Sequence, residues 1–521
     1  MNRAEMLDRL RERSAPWDLL VIGGGATGVG IAVDAASRGY EVALIEGSDF
    51  GKGTSSRSTK LVHGGVRYLQ QGNIPLVMEA LKERGILRRN APHLVRDLPF
   101  VVPNYQWWEA PFYGIGMKVY DALAGRYGFG TSANLSVAET VARIPTIETE
   151  GLRGGVLYHD GQFDDARLLV HLARTAAGQG AVMVNYAPAT SLVRDAAGYL
   201  RGAIMADLEG GAELEVRARA VVNATGAFSD AVRRMDDPDA PALVRPSQGV
   251  HVVLPREFLP GDAAIMVPHT DDGRVLFAIP WHERVLVGTT DTPVDRVELE
   301  PTPLAEEIDF LLEHAARYLT RDPARADALS VFAGIRPLVA AQDAPAGDTS
   351  KISREHQIQV SGSGLLTIAG GKWTTYRKMA EDVVDYAAVL AGLEPRECVT
   401  RSLNIHGHHA NADRFGALAL YGADSPALME VMDERPEYGE LLHPRLPVRL
   451  GEVAWAARHE MARTLDDALA RRTRALVLDA RAAMEAAPAA ARVLARELSR
   501  ESAWFDEQVE AFRTLAGAYV P

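Results

Sequence analysis

The chain has 521 residues, 47% hydrophobic and 24% charged, with 46 Gly and 28 Pro, which excludes a disordered, collagenous or coiled-coil protein. At roughly 150 residues per domain the length allows several domains. A net charge of −13 argues against broad nucleic-acid binding but leaves room for a local basic pocket. The single cysteine, Cys398, excludes an intrachain disulfide and leaves no set of thiolates for a zinc or iron–sulfur centre.

Residues 1–17 are charged throughout and lack the apolar core of a signal peptide. The best apolar run, 19–33, is too short to cross a bilayer and ends at Asp34. Residues 19–22 read as a strand running into Gly23-Gly24-Gly25, residues 26–38 as a helix closed by Gly39, and residues 42–45 as a second strand ending at Glu46. So short a connection through a helix predicts parallel strands with a right-handed crossover. Further strands are expected at 216–223, 251–254, 275–279, 285–287 and 365–368, and a helix at 304–319. Residues 453–478 read as one helix with Met461, Leu465, Leu469 and Leu476 on one face. Residues 489–515 read as another, with Pro488 between the two. The expected division is a mixed α/β oxidoreductase region over 1–395 and a helical C-terminal domain over 400–521.

Residues 23–28 satisfy G-x-G-x-x-G in the right context, with a strand before, a helix after and an acid at the end of the next strand. Gly23 permits the turn, Gly25 admits a pyrophosphate to the backbone, and Gly28 lets the helix pack on the strand. Glu46 is placed to accept a ribose hydroxyl. The hydroxyl-rich run Thr54–Lys60, then Asn223-Ala224-Thr225-Gly226 and Gly370-Gly371-Lys372, add two more glycine-marked approaches and a candidate wrapping loop. Approaches spread so widely suit an extended FAD better than a nicotinamide nucleotide.

Residues 22–39 (IGGGATGVGIAVDAASRG) and 370–380 (GGKWTTYRKMA) resemble the two signature segments of the FAD-dependent glycerol-3-phosphate dehydrogenases. The family's internal motifs occur in order at 54–69, 163–168, 222–230, 287–291 and 334–338, and residues 467–478 are similar to its helical domain. The resemblance implies an α/β, D-amino-acid-oxidase-like fold: a Rossmann-type FAD domain, a β-rich substrate domain and a helical C-terminal domain. It implies oxidation of sn-glycerol 3-phosphate to dihydroxyacetone phosphate, with hydride passing from C2 to FAD N5 and electrons to membrane quinone. Such a protein would sit peripherally on the inner, cytoplasmic face of the cytoplasmic membrane; a homodimer is compatible with the sequence. An oxidase using O2, or an amine or amino-acid oxidase of the same fold, stays open as an alternative.

Cofactor contacts are expected from Gly23, Gly25, Ala26, Thr27, Gly28 and Glu46, from Thr54, Ser55, Ser56 and Lys60, and from His63, Gly64 and Gly65. Ala224, Thr225, Gly226, Gly334, Gly371, Lys372 and Thr374 complete that set. Substrate is expected at Arg67, Tyr68, Arg336, Arg354 and Lys372, because a phosphate dianion calls for fixed positive charge. His251, Arg336 and Lys372 are the expected catalytic groups, His251 as base or as an orienting residue. The family commonly places Lys where this chain has Gln248, which removes one possible positive charge. His406, His408 and His409 lack acidic or thiolate companions, so no metal is expected. The aromatic run 104–120 suits either a membrane interface or packing beneath the helical domain. Arg471, Arg472 and Arg474 suit interdomain ion pairs better than lipid headgroups.

Overall fold

The computed structural model describes residues 1–521 except 67, 68, 70, 71, 269, 272 and 340–354. It opens on a helix, Arg3–Glu12, and then on the expected strand–helix–strand unit, Trp17–Ile22, Ala26–Ser37 and Val42–Ile45. The strands are parallel, in register from Leu19↔Val42 to Ile22↔Ile45. Both are almost wholly buried, as strands covered on two faces must be. Gly28 sets the helix down on the strand end: a Cβ there would lie 1.9 Å from the Gly23 carbonyl oxygen.

Trp17–Ile22 also pairs in parallel with Glu213–Asn223, which pairs in parallel with Leu365–Gly370. Parallel pairing brings the carboxyl ends of these strands to one edge. The segments that follow them, at Gly23, Ala224 and Gly371, are the three glycine-marked approaches. Ligands of open α/β sheets bind at such an edge. Val182–Val184 extends the sheet beyond Val42–Ile45.

A second, larger sheet is built around Val244–Pro255. It pairs antiparallel with Ser330–Val339 on one side and Arg284–Gly288 on the other. The register sets Ser247 against Arg336 and His251 against Gly288. The helix Ala305–Ala316 packs on this sheet, where residues 304–319 were expected to be helical. The mixed α/β architecture agrees with the sequence reading.

The C-terminal region departs from it in detail. Residues 453–478 are not one helix: Leu450–His459 ends early, Asp467–Arg472 forms a wide turn, and Ala475–Leu478 is a separate short helix. Met461 (φ 57°) and Arg474 (φ 66°) sit in the left-handed region, which no continuing helix tolerates. Pro488 lies inside the helix Ala480–Glu497, and Ser502–Gly517 follows as its own helix. The buried alanine face of Ala483, Ala486, Ala487, Ala490 and Ala491 outweighs the proline's cost of about 3 kcal/mol. Trp455, Leu469, Leu494 and Phe512 share one core with Phe100, Tyr158, Trp281 and Phe332 of the large sheet. Among the described residues no helix is long and apolar enough to cross a membrane.

Candidate functional site

A long crevice of about 450 Å³ runs along the carboxyl edge of the parallel strands. Gly23, Gly25, Ala26, Thr27, Glu46, Thr54, Ser55, Ala224, Thr225, Gly226, Gly371 and Lys372 all wall it, so three distant approaches meet in one place. Gly25 stands at the N-cap of the helix Ala26–Ser37, whose dipole and first amides favour an anion. A Cβ on Gly25 would meet nothing nearer than Ser55 Oγ at 3.2 Å, so the turn leaves open space for a phosphate at its backbone. Glu46 accepts from the Gly24 amide at 2.5 Å and the Ser48 amide at 2.7 Å. Burial raises its pKa, against the pull of those two amides.

The far end of the crevice shares Thr54, Gly371 and Lys372 with an inner chamber of about 210 Å³. His63, His251, Gly334, Arg336 and Thr374 wall this chamber. His251 is brought there by Val244–Pro255 and Arg336 by Ser330–Val339. The His251 ring stacks on Phe332 at 4.8 Å, and its Nε2 meets Thr59 Oγ1 at 2.9 Å. Its Nδ1 is buried with no hydrogen-bond partner among the described residues. Burial, then the charges of Lys60 and Arg336, hold the imidazole pKa well below its usual value, so the ring is neutral.

The Arg336 guanidinium donates to Thr290 O at 2.9 Å, Thr289 Oγ1 at 3.1 Å and Gln248 O at 3.3 Å, and lies 3.4 Å from Asp291. Gly249 makes room for it: a Cβ there would fall 2.4 Å from Arg336 Nη2. Gln248, one residue along the alternating strand, turns the other way and donates to Glu307 at 2.8 Å. Its lack of charge therefore does not thin the positive field of the chamber.

Some expected cofactor residues are not in these walls. Gly28 acts under the helix as described. Ser56 is buried, and its carbonyl accepts from Lys60 at 2.8 Å. Lys60 is fully buried and pairs with Asp165 at 2.7 Å; it belongs to an internal ion network rather than to the crevice. The Gly64 amide donates to Tyr120 at 2.8 Å. Gly65 lines a side chamber next to the inner one. Arg67, Tyr68 and Arg354 lie outside the described residues. The pairs expected of Arg471, Arg472 and Arg474 are present, to Asp49 from the first two and to Asp165 from the third. Around the histidine cluster, His171 meets His93 at 3.0 Å and His406 meets Asp424 at 2.8 Å. Among the described residues no group has the make-up of a metal site.

Sequence reasoning missed Arg57, Phe277 and Trp373 in the inner chamber and Arg274 in the side chamber. Arg57 stands inside the Thr54–Lys60 run, so the run was legible while the residue was not. Its guanidinium is held by Leu299 O at 2.5 Å, Glu300 at 2.5 Å and Tyr519 Oη at 3.2 Å. Arg274 carried no signal beyond its place beside a turn.

The aromatic run forms the helix Glu109–Ala124, with Tyr113, Met117 and Tyr120 buried. Trp107 is 76% exposed, Phe112 52% and Ile115 67%, so the same short stretch also presents an apolar outer face.

A family model described as FAD dependent oxidoreductase matches residues 18–377. A second, described as the C-terminal domain of alpha-glycerophosphate oxidase, matches residues 358–505. Fold, glycine turn and crevice thus define a flavin-dependent oxidoreductase. The human protein named glycerol-3-phosphate dehydrogenase, mitochondrial, is 41% identical over 539 residues, covering 96% of this chain and 73% of its own. The Schizosaccharomyces pombe protein of that name is 36% identical, covering 97% and 88%. The crystal structure of the glycerol-3-phosphate dehydrogenase from Bacillus halodurans, complexed with FAD, matches with a TM-score of 0.81 at 30% identity, covering 100% and 98%. The chain belongs to the FAD-dependent glycerol-3-phosphate dehydrogenase family.

Proposed function

We propose that this protein holds FAD in the crevice, oxidises sn-glycerol 3-phosphate to dihydroxyacetone phosphate, and passes the electrons to membrane quinone. The observation that carries this reading is the convergence of His251, Arg336 and Lys372 on one chamber opening off a dinucleotide-shaped crevice. FAD, when bound, supplies the two-electron acceptance that no side chain offers. The chain's own part is to bind, orient and hold a proton. Arg336 and Lys372 set positive charge where a phosphate dianion and a developing alkoxide need it. The neutral His251 imidazole, fixed by Phe332 and Thr59, takes the proton of the C2 hydroxyl.

The outer apolar face of the helix Glu109–Ala124 supports attachment to a membrane surface, and we read the cytoplasmic membrane's inner face as that surface. Anaerobic addition of sn-glycerol 3-phosphate to the purified holoprotein tests the reading. Stoichiometric bleaching of the flavin band is expected, followed by recovery on adding a short-chain quinone. Protein carrying full FAD that stays yellow would overturn the substrate; recovery with O2 and peroxide but not with quinone would overturn the acceptor.

A further inference from the structure

Only one nitrogen of the His251 imidazole has a polar neighbour. Nδ1 is buried with no hydrogen-bond partner among the described residues, and the whole residue is 2% exposed. Nε2 meets the Thr59 hydroxyl at 2.9 Å. Phe332 stacks on the ring at 4.8 Å, and Gly288 approaches its edge so closely that a Cβ there would fall 2.2 Å from Cδ2. Thr59 is the more exposed of the hydrogen-bonded pair, and it walls both the inner chamber and the side chamber next to it.

Both chain neighbours of Thr59 are tied down. Ser58 donates to Asp165 from its amide at 3.0 Å and from its hydroxyl at 2.7 Å, and Lys60 donates to the same carboxylate at 2.7 Å. The Lys60 amide donates to Ser58 Oγ at 3.0 Å, which closes the chain around Thr59, and the strand Leu61–Val62 follows. The Thr59 hydroxyl is thus carried on fixed chain, the condition for a group that must meet one reacting atom. A hydroxyl has one proton to give and two lone pairs to receive with. Among the described residues Thr59 Oγ1 meets His251 alone, so capacity to accept is left at the chamber wall.

We infer that Thr59 is a catalytic residue, the hydroxyl through which the C2 hydroxyl proton of the substrate reaches His251. The inference rests on the reading of His251 as base. As the C2–H bond breaks and its hydrogen leaves with both electrons for the flavin, the C2 hydroxyl proton passes to Thr59 Oγ1. The proton already on Oγ1 passes to His251 Nε2. C2 and its oxygen become the carbonyl, Thr59 is restored, and the imidazole becomes a cation. Burial and the charges of Lys60 and Arg336 disfavour that cation, so it gives its proton up to solvent before the next turnover. The relay needs the tautomer with its proton on Nδ1, which leaves Nε2 to accept.

The test uses FAD-loaded Thr59→Val, Thr59→Ser, His251→Asn and the Thr59→Val/His251→Asn double variant. Anaerobic flavin reduction at saturating glycerol 3-phosphate should slow by about a hundredfold in Thr59→Val, its half-saturating concentration staying within about threefold, and most of the rate should return in Thr59→Ser. The double variant should fall no more than about threefold below the slower single variant, because the two groups act as one unit. Nitrogen NMR of the resting, histidine-labelled holoprotein, with His251→Asn identifying the resonance, should show Nε2 unprotonated, a readout that needs no turnover. Thr59→Val at the wild-type rate with His251→Asn slow overturns the relay and leaves the base standing. His251→Asn at the wild-type rate overturns both. Losses that multiply in the double variant, Thr59→Ser as slow as Thr59→Val, or a proton found on Nε2 each overturn the relay. A wild type that glycerol 3-phosphate does not reduce overturns the substrate reading and the relay with it.

Discussion

Two regions separated by a few residues of chain use polar groups in contrary ways. The crevice is walled by glycines, small hydroxyl residues and a helix N-terminus, uncharged groups that make only single local hydrogen bonds, as Thr54 does to Ile335 O and Thr225 to Asn223. Immediately beneath, charges are closed upon one another. Asp49 takes both terminal nitrogens of Arg472 at 2.7 Å and Arg471 Nε at 2.5 Å; Arg167 grips Glu460 at 2.7 and 2.8 Å; Asp165 takes Lys60 and Arg474. These side chains are 0–3% exposed. The seam joins the flavin-side segments to the C-terminal helices with ions rather than with apolar surface alone. Buried pairs of this kind cost dearly to break even when they contribute little net stability. Neighbours within one motif can therefore serve different ends. Glu46 faces the crevice while Asp49 locks the seam, and Ser55 lines the crevice while Lys60 does not.

The sharpest way to separate the two regions is to disable each alone. Gly28→Val drives a side chain into the Gly23 carbonyl and should abolish FAD retention, read as visible absorbance per protein; a variant with full flavin content would break the comparison. Arg472→Ala leaves Asp49 short of its bidentate partner and should cost about 3–5 kcal/mol in denaturant unfolding, while the folded fraction keeps its flavin. Lys60→Met bears on the boundary itself. Asp165 retains Arg474 and Ser58, so a smaller loss of about 1–3 kcal/mol is expected, with flavin affinity unchanged. Weakened flavin binding would return Lys60 to the crevice.

An effect confined to acid pH lies at the edge of the seam, where His171 sits between Arg167 and His93. Burial, then neighbouring positive groups, lower His93 to about 3 and hold His171 well below its usual range. Both are neutral when folded, whereas unfolded histidine gains a proton near 6.5. For His93 this stability is complete above pH 6.5 and is lost as pH falls toward 3, by about 1.4 kcal/mol per pH unit. His93→Gln should flatten the pH dependence of the urea midpoint between pH 6 and 4 by that amount. An unaltered slope would show that His93 is not neutral in the fold.

Much of the crevice was legible because glycine spacing and strand ends are local properties. Gly23–Gly28, Ala224–Gly226 and Gly370–Gly371 could each be read alone, and parallel pairing then brought them together. His251 was readable as a lone histidine on an apolar strand. The seam was only half legible. Arginines at 471, 472 and 474 suggested ion pairs, but helical periodicity over 453–478 says nothing of the left-handed residues Met461 and Arg474 that break it. Arg274 and Arg57 were invisible for a related reason. Their significance is a matter of which distant wall they complete, and hydrophobic pattern carries no such information.

The order in which the chain is made gives the Arg57 anchorage a further meaning. A nascent chain emerges from its N-terminus, and units fold as they become complete. The dinucleotide turn emerges before the opposite wall of its crevice, Gly370–Trp373. The phenol that fixes Arg57 belongs to Tyr519 and comes later still. A crevice walled on both sides therefore exists only after Trp373 has been made.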